Sequence, residues 1–298
     1  MPSIYSLLLL FTSLLWGGNF VVGKLLVGHA SSMTLTSLRW IIAAVCLIPL
    51  VYWRERKLLP ARRALVPLLM MGATGVVLFN LFMFWALERT SATNVGLLST
   101  LNPVSIAVCS FLLLRERLHP LQGLAMLVSL TGVLVVLSGG DLSRLLDLHF
   151  NVGDLWMLAA VAMWGLYSVF AKLAMRDVSA MMSTLYAGVF GVLMLLPFNL
   201  SNFTIQEPNA VFWWSILYIG LLSTVGAMVF WNIGVQKLGG TAAGMFLNFN
   251  PVFTAVLAYF LLGEQLSWIQ LAGSALVILG VYAFSRAGRL LLRREAGA

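Results

Sequence analysis

The sequence predicts an all-α polytopic membrane protein: ten transmembrane helices arranged as two inverted five-helix repeats around a central cavity. Three features carry that expectation. Of the 298 residues, 61% are hydrophobic and 9% charged, with a mean hydropathy of +0.97, which is more apolar surface than one soluble core of this length buries. Ten apolar runs each approach the roughly 20 residues that cross a bilayer. Finally, one offset of 148 residues superposes the two halves without a gap along most of the chain.

The runs fall near 4–28, 32–53, 65–87, 93–114 and 120–138 in the first half, and near 153–174, 180–199, 210–235, 241–262 and 268–285 in the second. Span one lacks a basic leader region and is longer than the roughly 7–15 apolar residues of a signal peptide, so it reads as a retained helix in a chain that begins at Met1. Span two carries Arg39 and Cys46 and leads into the basic stretch from Arg54 to Arg63. Span three sets Phe79, Phe82 and Met83 on one face at i, i+3, i+4 spacing, and span four holds Asn102-Pro103 and Cys109. Both cysteines lie in apolar runs and read as small buried hydrophobes. Span five has a mostly small stripe, Ala125, Ser129 and Gly132, which span ten repeats as Gly273, Val277 and Gly280. Such stripes let helices approach closely, within one chain or across a homodimer.

Span six repeats span one: Trp16-Gly17 becomes Trp164-Gly165 and Lys24 becomes Lys172. The same offset places Pro49 on Pro197, Gly72 on Gly220 and Phe82 on Phe230. It also maps Thr93 on Thr241, Asn102-Pro103 on Asn250-Pro251, Glu116 on Glu264, Gln122 on Gln270 and Gly132 on Gly280. Matching Trp, Pro, Asn and Glu mean much more here than matching Leu and Val. The repeats are 1–148 and 149–298; five spans is an odd number, so the second enters the membrane from the opposite side. Inverted repeats are a common design of secondary transporters.

The formal charge of +8 could suggest nucleic acid, but its distribution describes topology instead. With both termini cytoplasmic, thirteen Lys and Arg residues fall in or beside the cytoplasmic connections and tail, against Arg89 and Arg144 on the other side. The tail "SRAGRLLLRRE" suits either an interfacial anchor on anionic lipid or a solvated end.

The Trp-Gly step in the first span of each half, "LNPVSIAV" and "FNPVFTAV" in spans four and nine, and the following "LLLRERL" and "LLGEQL" resemble the EamA-type proteins of the drug/metabolite transporter superfamily. The resemblance covers essentially the whole chain. It implies ten helices, a central cavity and export of metabolites across a bacterial inner membrane, with aromatic amino-acid exporters as the most similar members.

At 1.5 Å of rise per residue, Trp16, Trp164, Asn102 and Asn250 approach the bilayer midplane, where a carrier holds its substrate between its repeats. The expected substrate contacts are Trp16, Asn19, Phe79, Phe82, Met83, Asn102, Trp164, Tyr167, Ser168, Trp231, Asn248 and Asn250, with Asn80, Asn94 and Asn232 as further polar groups. Packing alone is the competing role for the aromatic residues. Gly17, Pro103, Gly165 and Pro251 are candidate hinges, because a proline within a helix frees a carbonyl that the neighbouring asparagine can cap. Lys24 and Lys172 lie about eight residues, roughly 12 Å, to either side of the midplane, either snorkelling to the interface or guiding a carboxylate as gates. For Arg39 a span-end acid and a backbone carbonyl are both open partners.

Glu88, Glu116, Asp154 and Glu264 fall at span ends, and no acidic residue lies near a midplane. Exporters of hydrophobic cations bring an intramembrane carboxylate. A neutral, aromatic cavity suits a zwitterionic or neutral metabolite moving down its own gradient, with proton coupling through a span-end acid as the alternative. Neither a metal site nor a cofactor is expected: His29, His119 and His149 are dispersed, and no acid-base pair, metal-ligand spacing or nucleophile elbow suggests a membrane enzyme. The short connectors offer no filter loop for a channel.

Overall fold

The computed structural model describes residues 4–115, 120–138, 151–200, 203–238, 246–265 and 267–296. Their regular structure is helical. The stretches are α1 (Ile4–Leu26), α2 (Ser32–Glu55), α3 (Arg62–Arg89), α4 (Ala92–Leu114), α5 (Pro120–Ser138), α6 (Val152–Ala174), α7 (Ala180–Asn199), α8 (210–238), α9 (Asn250–Leu262) and α10 (Trp268–Ala296). Seven are long and apolar enough to span a bilayer, namely α1 to α4, α6, α7 and Ala210–Trp231 of α8. The apolar stretches Gly123–Gly132, Asn250–Leu262 and Trp268–Phe284 are shorter among the described residues, partly because 241–245, expected to open span nine, lie outside them.

Local chemistry sets the ends. Ser31, Ser91, Asn151, Ser179 and Asn209 each accept the first free amide hydrogens of α2, α4, α6, α7 and α8 with a side-chain oxygen. Helices α4 and α9 both stop at a residue in the left-handed region, Arg115 (φ 56°) and Gly263 (φ 67°), one offset of 148 apart.

The same offset recurs inside helices. Gly72–Leu78 in α3 and Tyr218–Gly226 in α8 are π-helical, and Ser99–Leu101 before Asn102 and Leu247–Phe249 before Asn250 are 3-10 turns. Pro103 and Pro251 therefore sit in the first turn of a new α-helical segment, where a missing N–H leaves no hydrogen bond unmade. The break in each span precedes its proline.

Small residues let the helices meet. A Cβ on Gly72 would lie 3.0 Å from Ala187 O, and one on Gly220 2.9 Å from Ile42 Cγ2, so α3 crosses α7 as α8 crosses α2. Helices α5 and α10 pair along their glycine stripe, where a Cβ on Gly132 would lie 2.6 Å from Val277 N and Ser129 donates its hydroxyl to Val277 O at 3.1 Å. Lipid gives no hydrophobic drive for helices to associate, so such close packing and buried hydrogen bonds carry the assembly.

Candidate functional site

The Trp-Gly steps come together. The Trp16 and Trp164 rings lie 6.5 Å apart, edge to face. Trp231 stands 5.5 Å from Trp16; Phe79 and Tyr167 each stand 5.0 Å from Trp164. This aromatic cluster draws on α1, α3, α6 and α8, hence on both halves of the chain. Gly75 leaves the room that the buried Tyr167 ring fills.

A polar layer backs the rings. Trp16 Nε1 donates to Ser223 O at 2.9 Å, the Ser223 hydroxyl donates to Asn19 Oδ1 at 3.1 Å, and Asn19 Nδ2 reaches the buried Met83 Sδ at 3.5 Å. Next to Ser223, Thr224 Oγ1 accepts from Arg39 Nε at 2.8 Å and donates to Ile219 O at 2.7 Å. Arg39 Nη1 donates to Asn80 Oδ1 at 2.9 Å, and Asn80 Nδ2 satisfies Gly75 O and Val76 O within the π-helical turn. Side chains thus take up carbonyls that the i to i+5 pattern displaces, and such turns gather at functional sites. Among the described residues Arg39 meets neither an acid nor a backbone carbonyl but two neutral side chains.

Among the described residues Asn102 and Asn250 hold buried Oδ1 atoms with no hydrogen-bond partner. A buried unpaired amide is costly. Ser168 donates to Trp164 O within its own helix. The side chains of Asn232 and Asn248 lie outside the described ones.

Phe82 belongs to a second cluster with Trp85 and Trp156, at 5.8 and 5.3 Å, nearer the end of the bundle that carries Glu264. Antiparallel α3 and α6 explain the split: successive turns of α3 meet Trp164 and then Trp156. At that end Lys24 donates to Leu87 O and, at 2.9 Å, to Thr90 O. Lys172 is exposed in the last turn of α6.

Bonds between the halves gather at the Glu264 end. Glu264 accepts from Ala92 N, Thr93 N and the Thr93 hydroxyl at 2.9, 3.0 and 2.7 Å. Thr90 donates to the buried Asp154 at 2.7 Å, and Gln270 Nε2 donates to Asn94 Oδ1 at 2.7 Å. At the other end Ser179 donates to Glu55. Sequence reasoning placed Asp154 and Glu264 at span ends but missed their hydroxyl partners Thr90 and Thr93, and it did not single out Glu55.

The glycines admit the opposite half. A Cβ on Gly17 would lie 2.8 Å from Asn250 O and 3.1 Å from Thr254 N; one on Gly165 would lie 2.8 Å from both Ser105 O and Cys109 Sγ. The second crossing is displaced by about one turn relative to the first, whereas the crossings at Gly72 and Gly220 keep equivalent neighbours. Gly18, one residue on, makes room for the Tyr218 hydroxyl, which donates to Leu15 O at 3.0 Å.

Apolar helices packed around a buried aromatic and polar centre describe a multi-pass membrane protein. The sequence model of the EamA-like transporter family matches residues 3–138 and again 151–286, and the chain belongs to that family. It is 32% identical to the uncharacterized transporter YetK of Bacillus subtilis, covering 89% of this chain and 82% of that one. The uncharacterized transporter YyaM of the same organism is 30% identical over 95% and 93% of the two chains. A probable terminal-alkyne amino-acid exporter of Streptantibioticus cattleyicolor is 28% identical over 80% and 78%. A solved crystal structure shares the fold with a TM-score of 0.65 at 21% identity, covering 97% and 99%. Family and relatives are transporters rather than enzymes.

Proposed function

We propose that the chain is an inner-membrane exporter of amino acids or similar small metabolites, aromatic ones favoured, working by alternating access between inverted repeats 1–148 and 149–298. The observation that carries this reading is the cluster of Trp16, Trp164, Trp231, Phe79 and Tyr167, built by both halves; among the described residues Asn102 and Asn250, one in each half, leave a buried Oδ1 without a partner. Ring faces suit an apolar side chain; unpaired Oδ1 acceptors suit an α-ammonium group.

The double family match and the π and 3-10 turns repeated at the 148-residue offset support the duplicated, ten-span architecture. Positive charge in and beside the basic loops supports cytoplasmic termini; on that reading the Glu264 end is the outer one and the described conformer is outward-closed. Unequal register at the Gly17 and Gly165 crossings is the asymmetry that an alternating-access carrier needs; exchanging the two registers converts one facing into the other. Pro103 and Pro251, just after the breaks, are the hinges of that exchange. Lys24 and Lys172 stand at its gates, and the molecule works as a monomer or homodimer.

Counterflow of labelled tryptophan in proteoliposomes, with and without a proton gradient, tests the reading. Saturable flux without the gradient, lost in Trp16→Ala and Trp164→Ala chains that still elute as folded protein, supports it. Failure to move any amino acid removes it, and flux that demands a proton gradient replaces facilitated export with coupled export.

A further inference from the structure

We infer that Arg39 is the carboxylate receptor of the transport site. This deepens the amino-acid reading above and rests on it. Arg39 lies 7 residues into α2 and is 8% exposed, so its guanidinium sits about 10 Å inside the membrane span. Its two hydrogen bonds go to Thr224 and Asn80, both uncharged, and Nη2 has no partner among the described residues. The ion pair that the described residues do contain, Arg89 with Glu88, is at a span end. Arginine remains protonated in proteins, so a buried positive charge stands here without a counter-ion among the described residues.

Position supplies the rest of the inference. Thr224 follows Ser223, which anchors Trp16, and Asn80 follows Phe79, whose ring meets Trp164. The guanidinium therefore bridges α3 and α8, which carry Phe79 and Trp231 of the aromatic cluster, and it does so beside both π-helical turns. Tying those turns together needs hydrogen bonds but no charge; an amide would serve without the cost of burying an ion. A charge held there and left unneutralised is a receptor for an anion that comes and goes. The planar fork matches a carboxylate, which it binds with two parallel hydrogen bonds. The ligand is a carboxylate attached to an aromatic or apolar body, either a zwitterionic amino acid or a simple carboxylic acid.

Binding of tryptophan, indole-3-propionate and tryptamine to the purified full-length chain, followed by tryptophan-fluorescence quenching or calorimetry, separates these possibilities. We expect wild-type protein to prefer both carboxylates to tryptamine. Arg39→Gln should weaken carboxylate binding by about tenfold or more, as loss of a charge-assisted hydrogen bond from a low-dielectric site implies, and leave tryptamine within about twofold. Arg39→Lys keeps the charge and should keep the preference at lower affinity. Tryptophan binding much tighter than indole-3-propionate identifies the zwitterion as the ligand; equal binding identifies the carboxylic acid. Tryptamine binding as well as tryptophan to the wild-type chain, or an Arg39→Gln chain that retains the preference, overturns the Arg39 assignment and leaves the exporter reading intact. Failure of all three compounds to bind overturns both. If neither variant folds, the wild-type comparison still overturns the assignment when tryptamine binds as well as tryptophan.

Discussion

The Thr254 hydroxyl shares its hydrogen between Asn250 O in its own helix, at 2.9 Å, and Gly17 O at 3.0 Å, the second joining α9 to α1. The corresponding bond between α4 and α6 runs from Ser105 to Val161 O at 2.8 Å. Shifted by the 148-residue offset, that bond maps to positions 253 and 13, an interval of 240 where Thr254 and Gly17 span 237. Three residues of slippage is roughly 4.5 Å along a helix, close to one turn. Packed helices exchange such registers in whole turns, because side chains fit only discrete grooves.

Thr254→Val should therefore shift the balance between registers without changing the shape of the residue. Removing one hydroxyl bond costs about 1 kcal/mol, which corresponds to roughly a fivefold change in the ratio of conformers. In a chain whose Cys46 and Cys109 are replaced by alanine, a cysteine at Phe82 reports access from the Glu264 end. Faster labelling by an impermeant maleimide is the expected result; an unchanged rate detaches this bond from the conformational switch.

Glu264→Gln should loosen the same end. The carboxylate meets the free amides of Ala92 and Thr93 at the start of α4, where a negative charge contributes up to about 2 kcal/mol in partly buried geometry. Glutamine retains the size and one acceptor but loses the charge. Labelling at position 82 should rise more than with Thr254→Val, and substrate affinity should change little, since Glu264 lies far along α9 from Asn250. A labelling rate equal to wild type rejects Glu264 as a latch.

Trp16→Phe tests how the ring is held rather than whether it is present. Phenylalanine keeps an aromatic face but leaves Ser223 O without its indole donor, at about 1 kcal/mol. Transport should show a several-fold higher KM with kcat largely retained. A lowered kcat at unchanged KM would instead assign Trp16 to the moving interface, beside Gly17.

Repetition explains what the sequence could disclose. Trp16 and Trp164 are legible because they recur at one offset, and the structure brings them together. Arg39, Asn80 and Thr224 escape that logic: their offset mates are Ala187, Met228 and Val76, so the polar network is built once, off the symmetry. The π-helical turns are equally silent in sequence, since a change from i+4 to i+5 bonding depends on how Asn80 and Thr224 compete for carbonyls. Helical periodicity put Phe79 and Phe82 on one face, but it could not say that the partner helix meets them at different turns.

Gly132→Leu and Gly280→Leu separate scaffold from machinery. A side chain at Gly132 would meet Val277 N at 2.6 Å and Gly273 O at 2.7 Å, backbone atoms that cannot turn aside. Overpacking of this kind costs about 1–3 kcal/mol and sometimes more. The α5–α10 contact keeps equivalent neighbours on both sides of the repeat, so the exchange proposed at Gly17 and Gly165 does not call on it. Either variant should lower the melting temperature in detergent and reduce the amount of folded protein, while the surviving molecules bind and transport with wild-type KM. The drop should not depend on protein concentration, since both helices belong to one chain. A melting temperature that falls only on dilution would assign the glycine stripe to a dimer contact, and a raised KM at normal stability would draw α5 and α10 into the transport cycle.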